Sequence, residues 1–169
     1  MPEQRLGAEW VREWCGRVDA ALARWAASFR EVHGHPPGGN SVRRATDESH
    51  RATGALVDLT PIPSDLTTLY WVVAEVSLPD VDSGYFIHSP DKTAADFREH
   101  GPVRIAGEAE DGIVFGSDGG GRPFALAGSG RVWWSASSAR FEECEQVASC
   151  LEEFLDRLGG RIGSALQGP

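Results

Sequence analysis

Gly112-Ile113-Val114-Phe115-Gly116-Ser117-Asp118-Gly119-Gly120-Gly121-Arg122-Pro123-Phe124-Ala125-Leu126-Ala127 decides the fold. An apolar run stops at a glycine-dense turn, and a second apolar run follows, which is the pattern of a β-hairpin. Arg131-Val132-Trp133-Trp134 supplies a third run, so the stretch predicts an antiparallel meander. The glycines do not make a phosphate loop. The Gly-Lys-Ser/Thr ending is missing, and Arg122 to Leu126 has strand character where a phosphate loop opens a helix. Glycine supplies the positive φ of the turn, and Asp118 is positioned to bond its own backbone there.

Outward from the hairpin, strands are predicted at 74–78, 85–88, 103–106, 112–116, 123–127 and 131–135. Helices lie on either side of them. In residues 8–33, Trp10, Trp14, Val18, Ala21, Leu22, Trp25, Phe29 and Val32 recur at spacings of three and four and form one stripe. Three tryptophans on that stripe predict core packing, with a partner surface as the other reading. Gly34 ends this helix, and Pro36-Pro37 prevents its return. Residues 34–56 break the pattern and are expected to be a mobile loop. Ser64 is expected to cap a short helix that buries Leu66, Leu69, Tyr70 and Val73 and leaves Trp71 exposed. Another short helix is expected around Thr93 to Glu99. The last helix is expected to carry Cys144, Val147, Ala148, Leu151, Phe154, Leu155 and Leu158 on its apolar face and to stop at Gly159-Gly160. Helices before and after a run of strands, without β-α-β alternation, predict an α+β fold: a mainly antiparallel sheet packed by N-terminal and C-terminal helices.

With 169 residues the chain suits one domain that needs no disulfide or metal to fold. Its formal net charge of −9 at pH 7 disfavours nucleic acid and anionic membrane and favours a basic partner. Cys15, Cys144 and Cys150 are an odd, sparse set, which fits a reducing compartment. Cys144 and Cys150, six residues apart on one expected helix, are too far apart for a disulfide. The first residues lack a signal-peptide pattern, and no apolar run is long enough for a bilayer, so a cytoplasmic protein is expected.

The chemistry-bearing residues argue against catalysis, cofactor and metal. His33 and His35 flank Gly34 with no acidic or thiol group nearby, and His50, His88 and His100 are scattered. Asp80 with Asp82, Glu108 with Glu110 and Asp111, and Glu142 with Glu143 fall in turns or on a polar helix face, where ordinary solvation is expected. Ser117, Ser135, Ser137 and Ser138 show no nucleophile elbow. Trp133-Trp134 is different, because neighbours on a strand face opposite sides. One is expected to be core and the other available. With Trp71 and Tyr85, Trp134 would give an aromatic anchor ringed by acid.

Several stretches resemble the SUKH superfamily, which contains the Smi/Knr cell-wall-synthesis regulators and bacterial immunity proteins. Pro63-Ser64-Asp65-Leu66 with Leu69-Tyr70 is similar to the family's helix opening. Gly84-Tyr85-Phe86-Ile87-His88-Ser89 is similar to its glycine-led strand. Ile113 to Gly121, Phe124-Ala125-Leu126 and Gly130-Arg131-Val132-Trp133 resemble its most recognisable stretch, and Val147 to Leu155 resembles its final helix. The resemblance covers roughly residues 60–158. It implies a Smi/Knr-like α+β fold without catalytic activity. It also implies an immunity protein that binds a cognate toxin, often a nuclease. The acidic balance fits a basic toxin, and opposite charge would speed association. Candidate contacts are Trp71, Asp80, Asp82, Tyr85, Asp118 and Trp134. Two other readings stand beside it: a regulatory interaction module with an endogenous partner, and a small-ligand-binding domain using the glycine turn.

Overall fold

Strand alternation builds the molecule. In the computed structural model, which describes residues 6–137 and 141–166, seven strands form one antiparallel sheet in the order of the chain. They are β1 (Ser41–Arg44), β2 (Val73–Leu78), β3 (Tyr85–Ile87), β4 (Gly112–Asp118), β5 (Pro123–Ala127), β6 (Val132–Ser135) and β7 (Cys144–Ala148). The helices are α1 (Ala8–His33), α2 (Asp47–Leu59), α3 (Ser64–Val72), α4 (Pro90–His100) and α5 (Leu151–Leu166). The α+β class is as expected.

Alternation along β5 and β6 divides the apolar residues between the two faces of the sheet. Phe124, Leu126 and Val132 join Trp14, Val18, Leu155 and Leu158 of α1 and α5 in the main core. Ala125 and Ala127 join Val103, Ile105, Val114 and Phe141 in a smaller cluster. Phe115 reaches the main core from an irregularity in β4, where the pairing shifts between Val114 and Gly116.

Helix α1 packs on α5, α3 and β1, and α4 packs on α2 and β4. The Trp14 indole donates to the Leu155 carbonyl at 2.7 Å, tying α1 to α5. Gly34 ends α1 in the left-handed region (φ 76°), its N–H donating to the Arg30 carbonyl. Among the described residues no helix is long and apolar enough to cross a membrane.

Five expectations are corrected. Residues 34–56 are not one long loop, because they contain β1 and most of α2. Helix α2 buries Ser49, Thr53 and Leu56 and opens on a Thr46–Ser49 capping box, so its inner face is mostly polar. Residues Cys144–Ala148 form the edge strand β7, so Cys144 and Cys150 do not share a helix. Helix α5 starts at Leu151 and runs through Gly159-Gly160, where Gly159 lies against the Trp14 indole and a side chain would crowd it. Segment 103–106 contributes only an isolated Val103–Gly112 bridge. Helix α3 is capped by Pro63 without a side-chain bond, and Ser64 is its first residue.

Candidate partner-binding cleft

The β4–β5 turn is built around one carboxylate. Asp118 Oδ1 accepts from the backbone N–H groups of Gly120 (2.9 Å) and Arg122 (3.0 Å), as expected from the turn chemistry. Oδ2 accepts from the Trp134 indole at 3.1 Å. The Arg122 guanidinium lies 5.2 Å from the centre of the Trp134 ring. Trp134 is therefore held between a carboxylate and a cation-π contact.

Pairing of β3 with β4 sets Tyr85 opposite Asp118. The β2–β3 turn locks this edge. Gly119 donates to the Gly84 carbonyl at 3.2 Å, and the Ser83 carbonyl sits where a side chain on Gly119 would be. In the same turn Asp82 adopts φ 49° and pairs with Arg161 of α5 at 3.1 Å. Burial pushes the Tyr85 hydroxyl above its ordinary pKa. Arg161 opposes that shift, and Asp82 adds to it by charge and by a hydrogen bond.

Between this edge of the sheet and α5 lies an open cleft of about 370 Å³, and Tyr85, Phe124, Trp134 and Phe154 give it aromatic walls. Phe124 and Phe154 meet edge to face, with ring centres 5.1 Å apart. Arg157 and Arg161, one helical turn apart on α5, also line it. Arg157 donates to the Val147 carbonyl and to Glu153. Hydrogen bonds from the Ser149 side chain and backbone, together with Arg157, hold the Glu153 carboxyl below its ordinary pKa.

Tyr85, Asp118 and Trp134 thus come together, with Asp82 linked to them through Arg161. The other two candidates lie apart. Asp80 exchanges hydrogen bonds with Asn40, accepting from its amide at 2.9 Å and donating its backbone N–H to it at 3.1 Å. Trp71 is exposed, as expected, but stacks on His50 with ring centres 3.9 Å apart, away from the cleft lining. The ring of acid around the anchor is corrected as well. Asp118 is buried with both oxygens engaged, Asp82 is paired, and two arginines share the lining with Glu145.

Two polar groups outside the candidate contacts, Glu108 and His88, are buried. The Glu108 side chain is 4% exposed, and its Oε1 accepts from Ser129 Oγ (3.0 Å), Arg131 Nη1 (3.3 Å) and Trp133 Nε1 (2.8 Å). It pins the segment before β4 to the β5–β6 hairpin. Trp133 and Trp134 thus anchor to different carboxylates, with Trp133 against the smaller cluster and Trp134 against the main core. His88 is buried, and its Nε2 lies 3.2 Å from Ser117 Oγ. Burial, then the charge of Lys92, holds its pKa down to about 4, against a smaller opposing effect of Asp96. Its Nδ1 is buried without a hydrogen-bond partner. No acid orients the ring for a role as base to Ser117, so the pair lacks the third member of a hydrolytic triad.

All three cysteines are free thiols, and burial raises the pKa of Cys15. Among the described residues no group of three or more His, Cys, Asp or Glu is placed to hold a metal ion. No family model and no curated protein matches the chain.

Proposed function

We propose that this chain is a non-catalytic protein-binding domain of SUKH type that neutralises a cognate toxin through the cleft between the sheet and α5. The observation that carries this reading is the convergence of Tyr85 and Trp134 on one open cleft, with Phe124 and Phe154 beside them. Tyrosine and tryptophan in a pocket that a partner can desolvate are the usual anchors of protein interfaces. They are held in place before binding, Trp134 by Asp118 and Arg122 and Tyr85 beside Asp82 and Arg161, which lowers the ordering cost of association.

The formal net charge of −9 suits a basic partner such as a nuclease. In this reading the acidic body steers the encounter, and the aromatic cleft provides the short-range contact. Arg157 and Arg161 then meet acceptors on the partner, carboxylates or main-chain carbonyls, at the rim.

The test is affinity capture from the source cells at low and high salt, followed by co-expression of the captured protein with this chain. The reading expects one basic, growth-inhibiting protein, lost as salt rises, whose toxicity the chain suppresses. Recovery of an endogenous regulatory complex that is not toxic would overturn the immunity reading in favour of an interaction module.

A further inference from the structure

The sheet ends in β1 on one side and β7 on the other, and the two end strands are finished differently. On β1, Arg44 turns back onto the Val42 carbonyl at 3.4 Å and pairs with Asp19 of α1 at 2.7 Å, while Arg43 pairs with Glu75 of β2 at 3.7 Å. Helix α1 also packs on this strand. The chain thus finishes that edge itself.

On β7 the chain closes only one end. The Ala136 N–H donates to the Glu143 carbonyl at 2.8 Å, which turns the main chain of Glu143 towards the β6 side. Main-chain groups alternate in direction along an antiparallel strand, so those of Cys144 and Gln146 turn outward. Among the described residues no further main-chain partner meets them. The pairing with β6 shifts register past Gln146, and the Val147 carbonyl accepts from Arg157 of α5. The open stretch is therefore Cys144 to Gln146, with Glu145 and Gln146 exposed.

The side chains select what can lie there. Glu145 is the register partner of Trp134, so it stands on the same face of the sheet and lines the cleft. Glu143 follows the same alternation. Neither is in an ion pair among the described residues. A second copy added antiparallel along this edge would bring these carboxylates together, which disfavours it. A lysine or arginine opposite them pairs favourably, and its methylene stem lies along the cleft.

We propose that β7 receives an extended, basic segment of the partner as an eighth strand, with Lys or Arg at alternate positions against Glu143 and Glu145. This rests on the proposed function and extends its cleft by naming the element of the basic partner that docks beside it. Main-chain bonds to Cys144 and Gln146 hold the segment, and the alternate side chains give the selection. The segment is short, because Arg157 closes the edge at Val147, so it supplements the aromatic anchors of the cleft.

The probe is a capped heptapeptide of alternating lysine and valine, added to the full chain while amide hydrogen exchange is followed by NMR. For a dissociation constant near 1 mM, about 3 mM peptide is expected to slow exchange at Cys144 and Gln146 about fourfold. A matching glutamate and valine peptide is expected to leave it unchanged. Gln146→Pro removes one outward N–H without touching the β6 ladder and is expected to abolish the protection at Cys144, whereas Gln146→Ala keeps it. The double variant Glu143→Lys, Glu145→Lys tests charge alone at exposed positions and is expected to lose the response as well. Unchanged exchange with the lysine peptide, or equal protection by the glutamate peptide, overturns the proposal. A captured toxin that Tyr85→Ala weakens, yet that leaves the Cys144 and Gln146 amides unprotected, overturns strand addition and leaves the cleft reading standing. Protection by the lysine peptide in a chain that suppresses no toxin supports strand addition and removes the immunity reading.

Discussion

The Trp134 indole and the Asp118 carboxylate are joined at 3.1 Å across the sheet, while the other oxygen of the same carboxylate closes the β4–β5 turn. One buried side chain thus fixes both the hairpin and the aromatic wall of the cleft. Asp118→Ala leaves two backbone donors and an indole without their acceptor. A loss of about 2–4 kcal/mol is expected, read by urea unfolding followed through tryptophan fluorescence. A loss under about 0.5 kcal/mol would show that water replaces the carboxylate and that the turn holds itself.

Glu108 makes a separate prediction on the opposite face of the sheet. Glu108→Ala removes the shared acceptor of Ser129, Arg131 and the Trp133 indole; water reaches Ser129 and the half-exposed Arg131, so the expected loss is about 1–3 kcal/mol. Glu108→Gln keeps an acceptor for the indole and is expected to lose less. Equal losses for the two variants, compared by thermal unfolding, would count against the hydrogen-bonding role.

His88 predicts an acid-side stability slope. The unfolded imidazole titrates near 6.5, whereas the folded one is held to about 4. Above pH 6.5 both states are neutral and the contribution is complete. As pH falls from 6.5 towards 4, the unfolded chain takes up a proton that the folded chain refuses, so stability drops, by about 3 kcal/mol at the lower limit. The groups facing the ring are Ser117 from β4 and Lys92 and Asp96 from α4. Urea midpoints between pH 7 and 4 are expected to fall more steeply for the native chain than for His88→Gln, and parallel curves would contradict the assignment.

Gly119 is required by space. A methyl group there meets the Ser83 carbonyl, which is main chain and cannot swing aside. Gly119→Ala is expected to cost about 1–3 kcal/mol by overpacking and to loosen the β2–β3 turn that carries Asp82. Weaker protection of the Gly84 and Gly119 amides in hydrogen exchange would report this directly, and unchanged protection would argue against it.

Hydrophobic periodicity made legible the elements that bury apolar stripes. Helix α1 runs from Ala8 to His33 and β5 from Pro123 to Ala127, matching the residues expected for each. Helix α2 is not legible in the sequence, because the residues it buries, Ser49 and Thr53 beside Leu56, carry no apolar rhythm, and its capping box uses serine where glutamate is the commoner signal. Strand β7 has no distinct signal, because Cys144, Val147 and Ala148 also fit a helical spacing when joined to Leu151. The break lies at Ser149, whose hydroxyl and backbone N–H both bond Glu153. Two glycines read locally as a stop, whereas α5 continues through them, and Gly159 lies against the Trp14 indole, a tertiary contact that no local pattern contains.

The cleft was half legible. Tyr85, Asp118 and Trp134 came from an aromatic and acidic reading of two strands and a turn. Arg157 and Arg161 were out of reach because helix, sheet edge and turn meet only in the folded chain, and Arg161 lay beyond the expected helix end. Asp80 lies apart from the cleft for a related reason. Asp80 and Asp82 share a turn, but the first points to Asn40 and the second to Arg161.

The most direct test of the cleft is a calorimetric titration of the captured toxin into the native chain and into Tyr85→Ala, Arg161→Ala and Trp71→Ala. Tyr85→Ala and Arg161→Ala are expected to weaken binding at least about tenfold, with Trp71→Ala unchanged. Full affinity in both cleft variants, with a loss confined to Trp71→Ala, would place the interface on the α2–α3 side and contradict the account.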